Sequence, residues 1–144
     1  MNYFITAIRY NKVLENGMEK KVTEYYLVDA LSFTEAESRT IEEMSAFISG
    51  EFSVTAVKTS KFSELFLADE EAADIFYKVK IQFLTLDERS GEEKKTNTEV
   101  LVQAADLRDA IRRFDEGMKG TMADYQIVSV AETPIVGIIA AKSE

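Results

Sequence analysis

Two pairs of lysines, Lys20-Lys21 and Lys94-Lys95, stand at matching places a few residues after two turn-forming glycines, Gly17 and Gly91. Lys78 and Lys80, with the aromatic residues Tyr10, Tyr25, Tyr77 and Phe83, lie in the strands these arms would face. Ammonium groups follow a phosphate backbone and aromatic rings stack on bases, so this set has the chemistry of a single-stranded nucleic-acid binder. The same lysines would also guard exposed strand edges against pairing with another chain. Glu19, Glu92 and Glu93 beside them give both arms a mixed charge.

Other chemistries are poorly served. The chain has no histidine and no cysteine, which removes Cys-His and Ser-His-Asp nucleophiles and the usual zinc sites. Carboxylate pairs are inevitable among 26 acidic residues, and surface acids are their default reading. The stretch Asp87–Glu93 lacks the alternating ligands of a calcium loop and reads as a solvated hairpin tip. Gly117-Met118-Lys119-Gly120-Thr121 closes a helix, whereas a phosphate loop opens one. No enzyme, metal or cofactor is expected.

The elements that must carry the lysines come in two copies. Gly17 and Gly91 lie 74 positions apart, and Glu19, Lys20, Lys21, Leu27, Val28, Ala30, Ala36 and Met44 all recur at that spacing. Asn-Gly and Ser-Gly between alternating strands are hairpin turns, because glycine accepts a positive φ. Tyr77, Val79, Ile81 and Phe83 alternate with polar residues, and Phe4, Thr6, Ile8 and Tyr10 take the matching face of the equivalent strand in the first copy. Ser32 with Glu35, and Asp106 with Asp109, mark helix starts with capping boxes. Helical spacing puts Phe33, Ala36, Ile41, Met44 and Phe47 inward in the first helix, and Leu107, Ala110, Ile111, Phe114 and Met118 in the second. Gly50 and Gly120 are expected as left-handed helix ends. Third strands follow at 52–57 and 125–130, then short apolar segments at 62–66 and 135–139, the last beginning after Pro134.

The expected fold is α+β, a tandem duplicated β-β-α-β(-β) unit with antiparallel sheets and two helices about a pseudo-twofold axis. The copies span 1–67 and 76–144, joined by a linker at 68–75 and packed as one compact domain. The mid-chain order β-β-β-β-α resembles the PC4/Whirly single-stranded-DNA-binding folds. Residues are 46% apolar and 30% charged, enough for a core and a soluble surface. The start of the chain lacks the pattern of a signal peptide and no apolar run reaches membrane-span length, so a soluble cytoplasmic protein is expected. The net charge of −9 counts against coating DNA or anionic membranes and leaves room for a local basic stripe.

Several phrases act together: Tyr3-Phe4-Ile5-Thr6, Lys20-Lys21-Val22-Thr23-Glu24, Asp29–Glu37, Ile48-Ser49-Gly50-Glu51-Phe52 and Glu116–Asp124. With them the chain resembles a family of small domain-of-unknown-function proteins from gut Bacteroidetes and their phages. The resemblance covers nearly the whole chain and implies a phage context without a catalytic motif. The expected function is a non-enzymatic phage or phage-derived protein that binds single-stranded nucleic acid through Lys20, Lys21, Lys78, Lys80, Lys94, Lys95, Tyr10, Tyr25 and Tyr77. The alternative is an acidic protein-interaction module or inhibitor of a host protein. The duplication leads to a monomer that mimics a dimer, with a homo-oligomer as the other outcome.

Overall fold

A computed structural model of the chain describes residues 2–141. Its elements are β1 (Tyr3–Val13), β2 (Glu19–Asp29), α1 (Phe33–Ser45), β3 (Phe52–Thr59), β4 (Phe62–Phe66), β5 (Ile75–Leu86), β6 (Glu93–Ala104), α2 (Leu107–Gly117), β7 (Asp124–Glu132) and β8 (Ile135–Ile139). The same order, β-β-α-β-β, occurs twice. The strands form two four-stranded sheets, β3-β1-β2-β8 and β4-β6-β5-β7. The fold is α+β, as the spacing of the residues predicts.

The hairpin tips work as expected. Gly17 and Gly91 have φ of 81° and 71°, the left-handed region in which a side chain is strained. The loops cover 14–18 and 87–92, so the second is longer by one residue. That residue changes the spacing between the copies: Phe4 corresponds to Tyr77 before the tip, whereas Leu27 corresponds to Leu101 after it.

Each helix begins on its predicted cap. The Glu35 N–H donates to Ser32 Oγ at 3.1 Å, and the Asp109 N–H donates to Asp106 Oδ1 at 2.8 Å. Glu35 and Asp109 reach back in turn to the N–H groups of Leu31 and Ala105. At the other end the prediction for Gly50 fails. α1 stops at Ala46 in right-handed conformation, and its N–H reaches the Glu43 and Met44 carbonyls. Gly120 does take a positive φ of 88°, but α2 is already capped by Met118.

The inward helical row is narrower than expected. Ala36, Thr40 and Met44 are buried in α1, and Ala110 and Phe114 in α2, with Met118 buried just beyond its end. These lie at i, i+4, i+8, one row of a helix pressed on a sheet. Phe33, Ile41, Phe47, Leu107 and Ile111 flank that row and are exposed.

The sheets depart from the antiparallel expectation. The long strands pair antiparallel, but β8 joins β2 and β4 joins β6 in parallel. Each copy thus gives its last strand to the sheet of the other. The chain accordingly divides into one compact unit with residues up to Ser60 and from Pro134 onward, and a second spanning Lys61–Thr133. These units cut across the sequence copies 1–67 and 76–144. Chain reach explains the exchange. Only Ser60 and Lys61 separate β3 from β4, and three Cα links span at most about 11 Å. Crossing from β3 to the free side of β2 covers three strand spacings, roughly 14 Å, and needs a return along the strand as well. Thr133 and Pro134 impose the same limit between β7 and β8. The mid-chain order β-β-β-β-α is present, but its strands divide between the two sheets.

The predicted linker is a pinned turn of the second unit. The Ala68 N–H donates to Gln103 Oε1 at 3.1 Å, and Gln103 Nε2 donates to the Ala73 carbonyl at 2.8 Å. Ala73 is buried, and Ile75 already belongs to β5.

Candidate nucleic-acid interface

Strand register decides which lysines share a face. In the first unit Lys20 stands opposite Lys12, and Lys21 opposite Asn11. Pleat alternation puts Lys12 and Lys20 on the face that carries α1, with Tyr10, and puts Lys21 on the other face with Arg9 and Tyr25. In the second unit Lys94 stands opposite Thr85, on the α2 face. Lys78, Lys80 and Lys95 lie together on the helix-free face. Both Lys-Lys arms are exposed, as is Lys80, while Lys78 is half-buried.

The helix-free face of the second unit holds an open groove of about 530 Å³. Lys61, Ser63, Lys80, Gln82, Asn97 and Glu99 line it. Gln126 Nε2 donates to Gln82 Oε1 at 3.0 Å, and Ser63 Oγ donates to the Glu99 carbonyl at 3.2 Å. Glu99 faces Lys80 across the strands, and they make no ion pair.

The cations divide by type. Among the described residues every ion pair is made by Arg39, Arg112 or Arg113. Arg113 joins Asp109 at 2.8 Å and Glu70 at 3.1 Å, tying α2 to the turn before β5. The Ala105 N–H, and then Arg113, hold the Asp109 carboxyl well below the usual carboxylate range. No described lysine is paired in this way, so the lysine charges remain available.

The aromatic half of the expected site needs correcting. Tyr77 is buried among Val79, Val100 and Phe114, and burial pushes its phenol up. Tyr10 is half-buried beside α1, and its hydroxyl donates to Glu24 Oε1 at 2.9 Å. Tyr77 offers no ring to a base, and Tyr10 lines a cleft on the α1 face, not the helix-free face. The reason is the alternation itself: Tyr77 shares the inward pleat with Val79 and Ile81. Tyr25 lies half-buried on the helix-free face of the first unit, beside Ala7 and Ile135. Gln82, Asn97, Ser63 and Lys61 were not among the residues expected at the site. Hairpin register from Gly91 puts Gln82 opposite Asn97, so those two could be read ahead. Lys61 could not, because it depends on the strand exchange.

Among the described residues no three acidic side chains cluster closely enough to hold a metal ion, and no helix is long and apolar enough to cross a membrane. The fold and this face define a duplicated α+β protein with an unpaired lysine surface. Residues 2–141 match the family described as a domain of unknown function (DUF4494), and the chain belongs to that family. No curated protein matches it.

Proposed function

We propose that the protein is a non-enzymatic binder of single-stranded nucleic acid, with its main contact on the helix-free face of the second unit. The observation that carries this reading is the set of exposed, unpaired lysines beside a groove of amides and hydroxyls: Lys61 and Lys80 with Gln82, Asn97 and Ser63. Ammonium groups bind phosphates there, and amide side chains meet sugars and base edges. The opposed Lys12 and Lys20 on the first arm repel each other, and a phosphate between them relieves that repulsion. The face offers few rings, so binding is led by charge and weakens steeply with salt.

Anisotropy of a labelled oligothymidylate, titrated at several salt concentrations, tests the reading. Binding at low salt should weaken at least tenfold when Lys61 and Lys80 become Glu, and less when Lys20, Lys21, Lys94 and Lys95 do. No binding at low salt, or unchanged affinity in the first variant, overturns it. A second reading, an acidic module for a protein partner, draws on Leu31, Phe33 and Ile41, which are exposed on and just before α1. It predicts one stoichiometric complex that Leu31→Asp and Phe33→Asp abolish, with no oligonucleotide binding.

A further inference from the structure

The two units share a scaffold, and they line the space beside the end of the helix with different residues. In the first unit a cleft of about 410 Å³ opens beside the C-terminal half of α1. Tyr10, Glu24, Tyr26, Glu43 and Phe47 give it polar and aromatic walls, and Met44, Ile48, Ile138 and Ile139 an apolar one. Tyr10 and Tyr26 both donate to the same atom, Glu24 Oε1, at 2.9 and 3.1 Å. Burial, then the Glu24 carboxylate, push the Tyr26 phenol far up, so it stays a protonated donor. Gly137 makes room for this: a Cβ there would sit 3.2 Å from the Tyr26 ring.

The second unit shows what the scaffold alone requires. At the positions of Tyr10, Glu24, Tyr26 and Glu43 it carries Phe83, Thr98, Val100 and Gly117. The second unit packs its helix on this sheet with no carboxylate and no phenol at these four positions. Among the described residues neither Glu24 nor Glu43 has an ion-pair partner. A half-buried carboxylate without a cation is costly to keep.

We infer that this cleft binds a small organic cation, an ammonium group on an apolar body, with its charge at Glu24 and its body against Met44, Ile48 and Ile139. A carboxylate supplies the attraction and the rings of Tyr10, Tyr26 and Phe47 add their negative faces. The phenol protons are already committed to Glu24, which leaves their oxygens and rings toward the ligand. The chain's net charge of −9 raises the local concentration of any cation. Lys12 and Lys20 lie further out along the arm and set a limit on how far the ligand charge extends. The site is independent of the lysine face on the second unit.

The experiment is calorimetric titration of the full chain with phenethylammonium and with 2-phenylethanol, which share an apolar body and differ in charge. Phenethylammonium should saturate and the alcohol bind at least about tenfold more weakly. Glu24→Gln should weaken the ammonium about tenfold, Tyr10→Phe a few-fold, and Lys61→Glu not at all. Glu24→Thr places the second unit's own residue there and serves where Gln disturbs folding. Equal affinity for alcohol and ammonium, no saturation by either, or a folded Glu24 variant that binds as the wild type does, overturns the inference.

Discussion

The two units lay equivalent rows of helix residues on equivalent strands and fill the space between them differently. Ala36, Thr40 and Met44 in one correspond to Ala110, Phe114 and Met118 in the other. Under Thr40 lies Thr6, with hydroxyls 3.1 Å apart; under Phe114 lies Val79. Thr40 donates its proton to the Ala36 carbonyl at 2.8 Å, so Thr6 must donate to Thr40. The first unit holds a buried polar relay and an open cleft. The second holds a ring, with Phe66 at 5.8 Å and Tyr125 edge-on at 5.6 Å. What the copies share is scaffold. What separates them marks where they have diverged, toward a polar cleft in one and a lysine face in the other.

The largest test of that contrast is to give the second unit the first unit's residue. Phe114→Thr removes a fully buried ring from the centre of its cluster. The new hydroxyl can reach the Ala110 carbonyl as Thr40 reaches Ala36, but nothing refills the space. A loss of about 3–5 kcal/mol is expected in urea denaturation. A loss below about 1 kcal/mol would mean that the second unit does not depend on the ring.

The reverse contrast separates two threonines that touch. Thr40→Val removes the bond to Ala36 and leaves the Thr6 hydroxyl buried without an acceptor, so about 1–3 kcal/mol is expected. Thr6→Val, which copies Val79, leaves Thr40 bonded to Ala36 and should cost about 1 kcal/mol or less. Equal costs in the same denaturation experiment would mean that the Thr6 hydroxyl does not depend on Thr40 for its acceptor.

The boundaries of these elements were legible in the residues because they are set locally. A glycine at a tip, a carboxylate three residues after a cap and a period of two each act within one turn or one pleat. Segments 62–66 and 135–139 were legible as strands for the same reason. Their sheet was not, because it depends on what a two-residue connection can span across three strands. Tyr77 was misplaced at the site although its alternation with Val79 and Ile81 already assigned it inward. The lysines were readable as exposed, and their grouping was not, since it needs register and the exchanged strand that brings Lys61. The cleft is a third case. Tyr10, Glu24 and Tyr26 stand out only when each copy is set against the other, position by position.

The caps supply a control in which the units should agree. Ser32→Ala and Asp106→Ala each remove a side-chain acceptor from an equivalent N–H. Each should cost about 1 kcal/mol in thermal or urea unfolding. The two losses should lie within about 0.5 kcal/mol of each other, because the feature belongs to the shared scaffold. A cost confined to one copy would make the capping box part of what divides the units.

High pH should separate the units by the phenol at Tyr26, where the second unit has Val100. An unfolded tyrosine loses its proton near pH ~10. In the folded chain burial disfavours the Tyr26 phenolate and the Glu24 carboxylate repels it, so the proton is held to higher pH. Above the unfolded value the folded state binds more protons than the unfolded one, and stability falls as pH rises. The contribution is complete below about pH 10 and is lost as pH climbs through the folded value. Tyr10, Tyr77 and Tyr125 shift in the same direction with burial as the first cause, so some slope remains without Tyr26. Urea midpoints measured from about pH 9 to 11.5 should therefore fall most steeply for the wild type, less for Tyr10→Phe and least for Tyr26→Phe. An unchanged slope in Tyr26→Phe would remove the shielded Tyr26–Glu24 contact from the description of the cleft. A slope that Tyr77→Phe flattens more than Tyr26→Phe would assign the alkaline response to the second unit's core instead.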